Sequence, residues 1–304
     1  MDPQILAFNP EPGVPEQLEP NVRRLLCPNP SPMTFRGTNT YLIGETEIAV
    51  IDPGPQNAEH LQAILAALTP GQSITHIIVT HAHLDHSPLA KALSEETGAP
   101  IYAYGDVDAG RSAVMQELAD SGLAGGGEGV DADFMPDRVV CEGEVLRGRG
   151  WALEVIHTPG HFGNHISLAM GDICFCGDHV MGWASSLVSP PDGDLTDFMA
   201  SCEKLRARDW RVFHAGHGAP IDDPAGRLDW LMTHRKGREA EILKALQDGP
   251  ATAQALAEMI YVETPPALLP AATRNVFAHL IDLYGKNIVS APGGLSAEAV
   301  FEPL

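Results

Sequence analysis

An α/β core followed by a small helical module is the fold class this sequence predicts, and three observations carry it. Two apolar strand-like runs flank a helical stripe between residues 40 and 80. Further strand-like runs follow at 151–157, 166–170, 172–177 and 211–214. Near His234 the character changes to short helices that end in a strand-and-wing signal. A chain of 304 residues, 44% hydrophobic and 19% charged, has the balance of an ordinary globular protein with a sizeable core.

The elements follow in order. Residues 1–32 hold eight of the 25 prolines: Pro3, Pro10, Pro12, Pro15, Pro20, Pro28, Pro30 and Pro32. Proline fixes φ and lacks the ladder donor, so this stretch predicts an extended arm laid on the surface. Regular structure is expected to begin near Thr40-Tyr41-Leu42-Ile43 and to return, after a hairpin-like break at Gly44-Glu45, as Ile48-Ala49-Val50-Ile51. Asp52-Pro53-Gly54-Pro55 stops that strand. Leu61, Ile64, Leu65 and Leu68 then line one face of a helix over 58–68. A second buried strand, Ile77-Ile78-Val79-Thr80, runs straight into His81. The run Gly125-Gly126-Gly127-Glu128-Gly129 reads as a loop, because no strand leads into it and no Lys-Ser/Thr follows, as a phosphate cradle requires.

Beyond residue 234 the pattern predicts a helix over Glu239 to Leu246, a break at Gly249-Pro250, a helix over Ala253 to Ile260 and a last helix over Thr273 to Tyr284. Residues 285–289 then read as strand and wing. Three short helices and a hairpin suggest a winged-helix-like module over 235–304, behind a catalytic domain over 1–234.

The formal charge of −21 divides unequally, −19 over residues 1–234 and −2 over the tail. That excess argues against a protein held on nucleic acid by bulk electrostatics. A tail of net −2, with one arginine (Arg274) on its last helix, makes general DNA binding unexpected. Packing on the catalytic domain or a homodimer contact is the expected use of the tail. No run of about 18 apolar residues marks a membrane span. Met1-Asp2-Pro3-Gln4 opens without the basic and apolar regions of a secretory signal, and five scattered cysteines make no disulfide framework. A reducing cytoplasm is the expected compartment.

Thr80-His81-Ala82-His83-Leu84-Asp85-His86 is the most informative segment. His81 and His83, two apart at a strand end, point the same way and can reach one ion. Asp85 and His86 lie just beyond, where the chain turns, and can start a second shell. A two-metal hydrolase needs ions about 3.5–4 Å apart with nitrogen and carboxylate ligands. His161 in Thr-Pro-Gly-His, Asp178 in Cys-Gly-Asp-His and His217 in Ala-Gly-His-Gly each follow a strand-like run beside a glycine, and are the further candidates. Singly, each reads as well as a structural residue; together these five histidines and two aspartates suffice for two ions. Cys174 and Cys176, alternating on the strand before Asp178, are a weaker source of a ligand and read as small buried apolar residues.

The motif His-Ala-His-Leu-Asp-His, with His161, Asp178 and His217 in that order, resembles the metallo-β-lactamase superfamily. The resemblance implies a four-layer αββα sandwich with its site at one edge of two sheets. It implies that His81, His83 and His161 hold one ion, that Asp85, His86 and His217 hold the other, and that Asp178 bridges them. Asp52 would brace the metal loop from behind. Gly37-Thr38-Asn39-Thr40-Tyr41-Leu42, the Thr-Pro-Gly-His segment with His165 four residues on, and His234-Arg235…Arg238-Glu239 resemble more narrowly the beta-lactamase-like protein 2 group, which carries a C-terminal winged helix.

The chemistry such a centre implies is hydrolysis. Two divalent ions, zinc ahead of iron or manganese, lower the pKa of a shared water from about 15.7 towards about 7, and the resulting metal-bridging hydroxide is the expected nucleophile. Asp85 is a candidate acceptor for the proton of that water as well as a ligand. Asp178 is catalytic as the bridge. His165, His179, Met181 and Trp183 are candidates for the substrate pocket. The substrate class stays open between ester, thioester, lactone and phosphodiester. The narrower resemblance implies an endoribonuclease on single-stranded RNA as an alternative to a small-molecule substrate. A glyoxalase II-like thioesterase uses the same ligands. A different class, the mononuclear-iron sulfur dioxygenases, shares the His-x-His-x-Asp-His stretch but uses one iron.

Overall fold

Two sheets, back to back, carry the architecture. The computed structural model describes residues 7–124 and 129–304, so residues 1–6 and the glycine-rich stretch Gly125 to Glu128 lie outside the described residues. The first sheet has seven strands in chain order: β1 (Glu16–Glu19), β2 (Val22–Leu26), β3 (Asn39–Ile43), β4 (Glu47–Ile51), β5 (Ser73–Ile78), β6 (Ile101–Ala103) and β7 (Arg138–Val139). β1 to β4 pair antiparallel; β4 to β7 run parallel. Parallel neighbours need crossovers, and α1 (Ala58–Ala66) and α2 (Leu89–Thr97) supply the first two, with α3 (Ala113–Asp120) before β7.

The second sheet contains β8 (Val145–Gly148), β9 (Trp151–His157), β10 (Ile166–Met170), β11 (Ile173–Gly177) and β12 (Val212–Ala215), in the spatial order β12-β11-β10-β9-β8. Its one parallel pair, β11 with β12, is joined through α4 (Leu195–Arg206). Helix α5 (Pro224–Leu246) follows β12.

Alternation along the strands sorts these residues into layers. Tyr41, Ile43, Ala49 and Ile51 of the first sheet meet Leu153, Val155, Leu168, Ile173 and Phe175 of the second in one buried cluster. Their neighbours Leu42, Ile48 and Val50 face the other way, against Ile64 of α1 and Leu89 and Leu93 of α2. Cys174, Cys176 and Phe213 face outward from the second sheet onto Phe198, Cys202 and Leu205 of α4 and Leu228 and Leu231 of α5. The result is a four-layer αββα sandwich. Cys174 and Cys176 therefore lie on the helix side as buried small apolar residues, and burial pushes both thiols well up.

The C-terminal module comprises β13 (Ala251–Thr252), α6 (Ala253–Ile260), a 3-10 turn (Pro266–Leu268), α7 (Leu269–Gly285), β14 (Val289–Ser290) and β15 (Val300–Pro303), the strands ordered β13-β15-β14. This is a winged helix. Its core of Leu256, Val276, Phe277, Leu280 and Phe301 extends onto Met115 and Leu118 of α3, so it shares a hydrophobic cluster with the sandwich.

Two expectations change. The proline-rich arm is not a surface strap: β1 and β2 are the outer strands of the first sheet, and Val22, Leu25 and Leu26 are buried. Pro15, Pro20 and Pro28 stand before, between and after these strands rather than inside them, so no ladder donor is lost. The helix expected from Glu239 begins at Pro224 instead. Its buried stripe, Leu228, Leu231, Arg235, Ile242 and Leu246, contains a charged residue that breaks the apolar pattern. The compositional change at 234/235 thus falls within one continuous helix. Leu228 and Leu231 serve the sandwich, and Ile242 and Leu246 the C-terminal module.

Candidate metal centre

The strands β4 and β5 end side by side, and their ends build the site. Asp52, immediately after β4, turns the chain at a φ of 50° and is 2% exposed. Its Oδ1 accepts from the Thr80 backbone N–H at 2.7 Å. Its Oδ2 accepts from the Thr80 hydroxyl at 2.8 Å and lies 2.9 Å from His86 Nδ1. One carboxylate thus fixes both ends of the segment 80–86, which leaves β5 without regular structure of its own. Thr40 Oγ1 donates to the Asp52 carbonyl at 2.7 Å and holds the turn from β3.

Within that segment His81 Nε2 stands 2.9 Å from His83 Nδ1, and His161 Nε2 approaches the same Nδ1 to 3.1 Å. A second group lies alongside. His217 Nε2 is 3.1 Å from Asp85 Oδ2, 3.3 Å from His86 Nε2 and 3.2 Å from Asp178 Oδ2. Asp178 faces both groups, with Oδ1 3.5 Å from His86 Nε2 and Oδ2 3.9 Å from His161 Nε2. All seven residues are buried, and the ligand atoms of each group lie within 4.8 Å of one another.

The donor chemistry of these rings fits cations. His86 Nδ1 faces Asp52, His217 Nδ1 faces the Gly37 carbonyl at 3.1 Å, His161 Nδ1 faces the Leu187 carbonyl at 2.6 Å, and His81 Nδ1 faces Thr80 Oγ1 at 3.0 Å. Each outer nitrogen is committed as a donor, so in a neutral ring the inner nitrogen presents a lone pair. Lone pairs converging at about 3 Å call for a positive charge between them. Asp178 Oδ1, buried and without a hydrogen-bond partner, is a further unsatisfied acceptor. The two groups, His81/His83/His161 and Asp85/His86/Asp178/His217, fit a dinuclear metal centre.

The ionisation of the metal-free protein separates the two groups. Burial, then the neighbouring imidazole of His161, pulls His83 down to about 3, and burial also lowers His81 and His161. In the second group burial again acts against charge, but Asp178 and Asp85 outweigh it and raise His217 to about 10. His86 is raised well above its ordinary value in the same way, by Asp85 and then Asp178. Burial would raise the Asp178 carboxyl, yet His217 and His86 hold it well below the usual carboxylate range.

Glycine is needed where the loops meet. A Cβ at Gly216 would sit 2.2 Å from Asp178 Oδ1, so only glycine lets the His217 loop pass the carboxylate. Asn39 Nδ2 donates to the Ala215 and Gly218 carbonyls at 3.0 and 2.9 Å and fixes that loop from β3.

Above the centre opens a cavity of about 240 Å³ whose floor includes His83, Asp85, His161 and Asp178. Met181 and Trp183 line it. His165 and His179 do not. His165 lies beneath the centre, with Nδ1 2.9 Å from Thr158 Oγ1 and Nε2 accepting from the Asp178 backbone N–H at 3.2 Å. His179 points into the helix side, packing on Phe198 with Nε2 3.5 Å from Cys202 Sγ. The chain turns at Asp178 and His179, where the His179 N–H donates to the Cys176 carbonyl at 3.1 Å, so the neighbour of a floor residue does not face the same space. The wall also takes Met33, Leu187, Tyr261, Leu268, Ala271 and Asn275, none of which carries a sequence signal beyond that of a core or loop residue.

Replacing Asp52 by asparagine is expected to cost roughly 10–100-fold in metal affinity or turnover, because His86 loses its charged partner while Thr80 keeps an acceptor. Metal titration of the variant checks this. Unchanged affinity would leave Asp52 with a purely structural role in the turn.

Comparison with known proteins places this geometry. The family described as the metallo-beta-lactamase superfamily matches residues 33–217, and the beta-lactamase associated winged helix domain matches residues 252–294. A beta-lactamase-like protein 2 homolog of Drosophila melanogaster is 33% identical over 281 residues, covering 88% of this chain and 89% of its own. An atrochrysone carboxyl ACP thioesterase of Cryptosporiopsis sp. (strain 8999) is 28% identical over 249 residues, 80% of this chain and 68% of its own. The crystal structure of a metallo-beta-lactamase family protein from Thermus thermophilus superposes with a TM-score of 0.76 at 25% identity, over 95% of this chain and all of that one.

Proposed function

The chain belongs to the metallo-beta-lactamase superfamily and is a metal-dependent hydrolase, and from that premise we propose that it is a dinuclear zinc enzyme cleaving an ester or thioester with an apolar acyl group. The observation that carries the substrate class is the wall of the cavity over Asp85 and Asp178. Met33, Met181, Trp183, Leu187 and Leu268 dominate it, Ser185, Tyr261, Thr264 and Asn275 are its neutral polar members, and among the described residues no lysine or arginine lines it. A phosphodiester brings a charge that protein cations normally neutralise at such a wall. An acyl group instead gains about 25 cal/mol for each Å² of apolar surface it buries there. The thioesterase name of one relative supports the same class.

In this reading His81, His83 and His161 would hold one ion and Asp85, His86 and His217 the other, with Asp178, which faces both groups, as a shared ligand. When bound, the ions supply a water acidic enough to ionise near neutral pH and a Lewis acid for the carbonyl oxygen. The chain's own groups do the rest. In the metal-free fold His86 and His217 hold the Asp85 carboxyl below its usual range despite its burial, and in the loaded enzyme this carboxylate, beside the cavity floor, would be the proton acceptor. His161 and His217, each tied to a backbone carbonyl, keep the floor in place through turnover. Met181, Leu187 and Leu268 exclude bulk water from the scissile bond.

The test is a substrate panel on the metal-loaded protein with its metal content measured. A decanoyl thioester is expected to exceed bis-p-nitrophenyl phosphate in kcat/KM by roughly a hundredfold. A preference for the phosphodiester would sink the acyl reading. One iron and no zinc would sink the dinuclear zinc assignment.

A further inference from the structure

The catalytic cavity does not end at its mouth. A second cavity of about 570 Å³ adjoins it, and the two share Pro32, Met33, Leu187, Leu268 and Ala271 as common wall. Pro265, Ala267 and Pro270 continue the second chamber, and among the described residues Arg274 is the one charged side chain lining it. One side of this chamber comes from the turn before β3 and the loop after β11; the other comes wholly from the winged helix.

We propose that this outer chamber is the acyl-tail subsite of the enzyme, and that the winged-helix module determines substrate specificity by forming half of it. The proposal rests on the acyl-hydrolase reading above. Continuity names the occupant: a group reaching the outer chamber through the shared wall is attached to a carbonyl lying over Asp85 and Asp178. The lining of proline, alanine, leucine and methionine suits an aliphatic chain, which needs contact area and no directional partner.

The module is fixed firmly enough to act as a wall. Arg235 is 2% exposed, and its Nη1 donates to Asn275 Oδ1 at 2.9 Å. The same Oδ1 accepts from the Val188 backbone N–H at 3.1 Å, so α7 is bonded to the residue after Leu187. Thr196 Oγ1 donates to Asp282 Oδ1 at 2.7 Å and ties α7 to α4. Ala272 and the whole run Val276 to Leu283 of α7 are buried. A helix committed in this way to packing cannot enter a DNA groove, but its first turn, bearing Ala271, faces the chamber.

The test uses the full-length, zinc-loaded chain and variants from opposite walls, Ala271→Phe and Met33→Trp. Both positions are half-buried, so an added ring can enter the chamber without displacing core. In the first arm, a dansyl-labelled undecanoic acid is titrated and its fluorescence followed. Native protein is expected to bind it, and each variant to weaken binding roughly tenfold or more. In the second arm, kcat/KM is measured for thioesters from acetyl to decanoyl. Native values are expected to rise about fourfold per methylene, the equivalent of ~0.8 kcal/mol, and the variants to flatten that rise. Binding equal to native in both folded variants overturns the proposal, as does a length profile they leave unchanged. Probe binding that the variants abolish, with no thioester cleaved by native protein, keeps the chamber and overturns the acyl-hydrolase reading instead.

Discussion

An Asp178→Asn variant is expected to lose roughly three orders of magnitude in kcat or more and to bind fewer than two ions per chain. Asp178 is the residue that faces both groups, with Oδ1 towards His86 and Oδ2 towards His217 of the same group and His161 of the other. Asparagine keeps the shape but replaces one acceptor with a donor and removes the negative charge. In the metal-free protein that donor faces the neutral imidazole of His161, so folding is retained while the bridge is lost. The amide also has nowhere to turn, because the Gly216 backbone packs against the carboxylate. Metal analysis with single-turnover kinetics separates the effects. Full occupancy by two ions with turnover within tenfold of native would refute the bridging role.

Removing the ions with a chelator is expected to lower the melting temperature by roughly 10 °C. Ligand present at a thousandfold over its dissociation constant stabilises by about 4.1 kcal/mol, and each kcal/mol moves a chain of this size by about 2–4 °C. The gap should widen as pH rises. In the metal-free fold His217 is raised to about 10 from an ordinary 6.5. Its contribution to stability is therefore fully present below 6.5 and is lost as pH climbs towards 10. An ion entering the second group must also displace the protons on His217 and His86, so its affinity should climb by up to about a hundredfold per pH unit while both are protonated. The first group behaves differently, because His83 at about 3 carries no proton to displace near neutral pH. Calorimetry of metal binding at several pH values, with proton release measured, reads both. A gap that narrows with rising pH would show that carboxylates, not His217, govern the metal-free state.

Much of the centre was legible in the sequence because its information is local. Four of the seven candidate ligand positions fall within six residues, His81 to His86, and a strand end presents alternate side chains to one side. His161, Asp178 and His217 were recognisable by a shared context, a strand followed by glycine and a polar residue. The same local reading failed for β1 and β2, since proline density over 1–32 says nothing of where within it the strands fall. It failed for the front of α5, where the buried Arg235 satisfies a tertiary partner in α7 and interrupts the apolar stripe. His165, four residues after His161, and His179, next to Asp178, are pocket candidates by sequence, yet one lies beneath the centre and the other on the helix side.

The layered α/β core, the candidate metal-binding residues and the presence of a winged helix can all be read along the chain, because period-two and period-3.6 patterns and a dense histidine motif are properties of neighbouring residues. What stands over the metal centre could not. Met33, Leu187, Leu268 and Ala271 come from segments far apart in the chain, and each read alone is an ordinary apolar residue. A pocket is a property of surfaces brought together, so its shape appears only once α7 is bonded against the loop after Asp178.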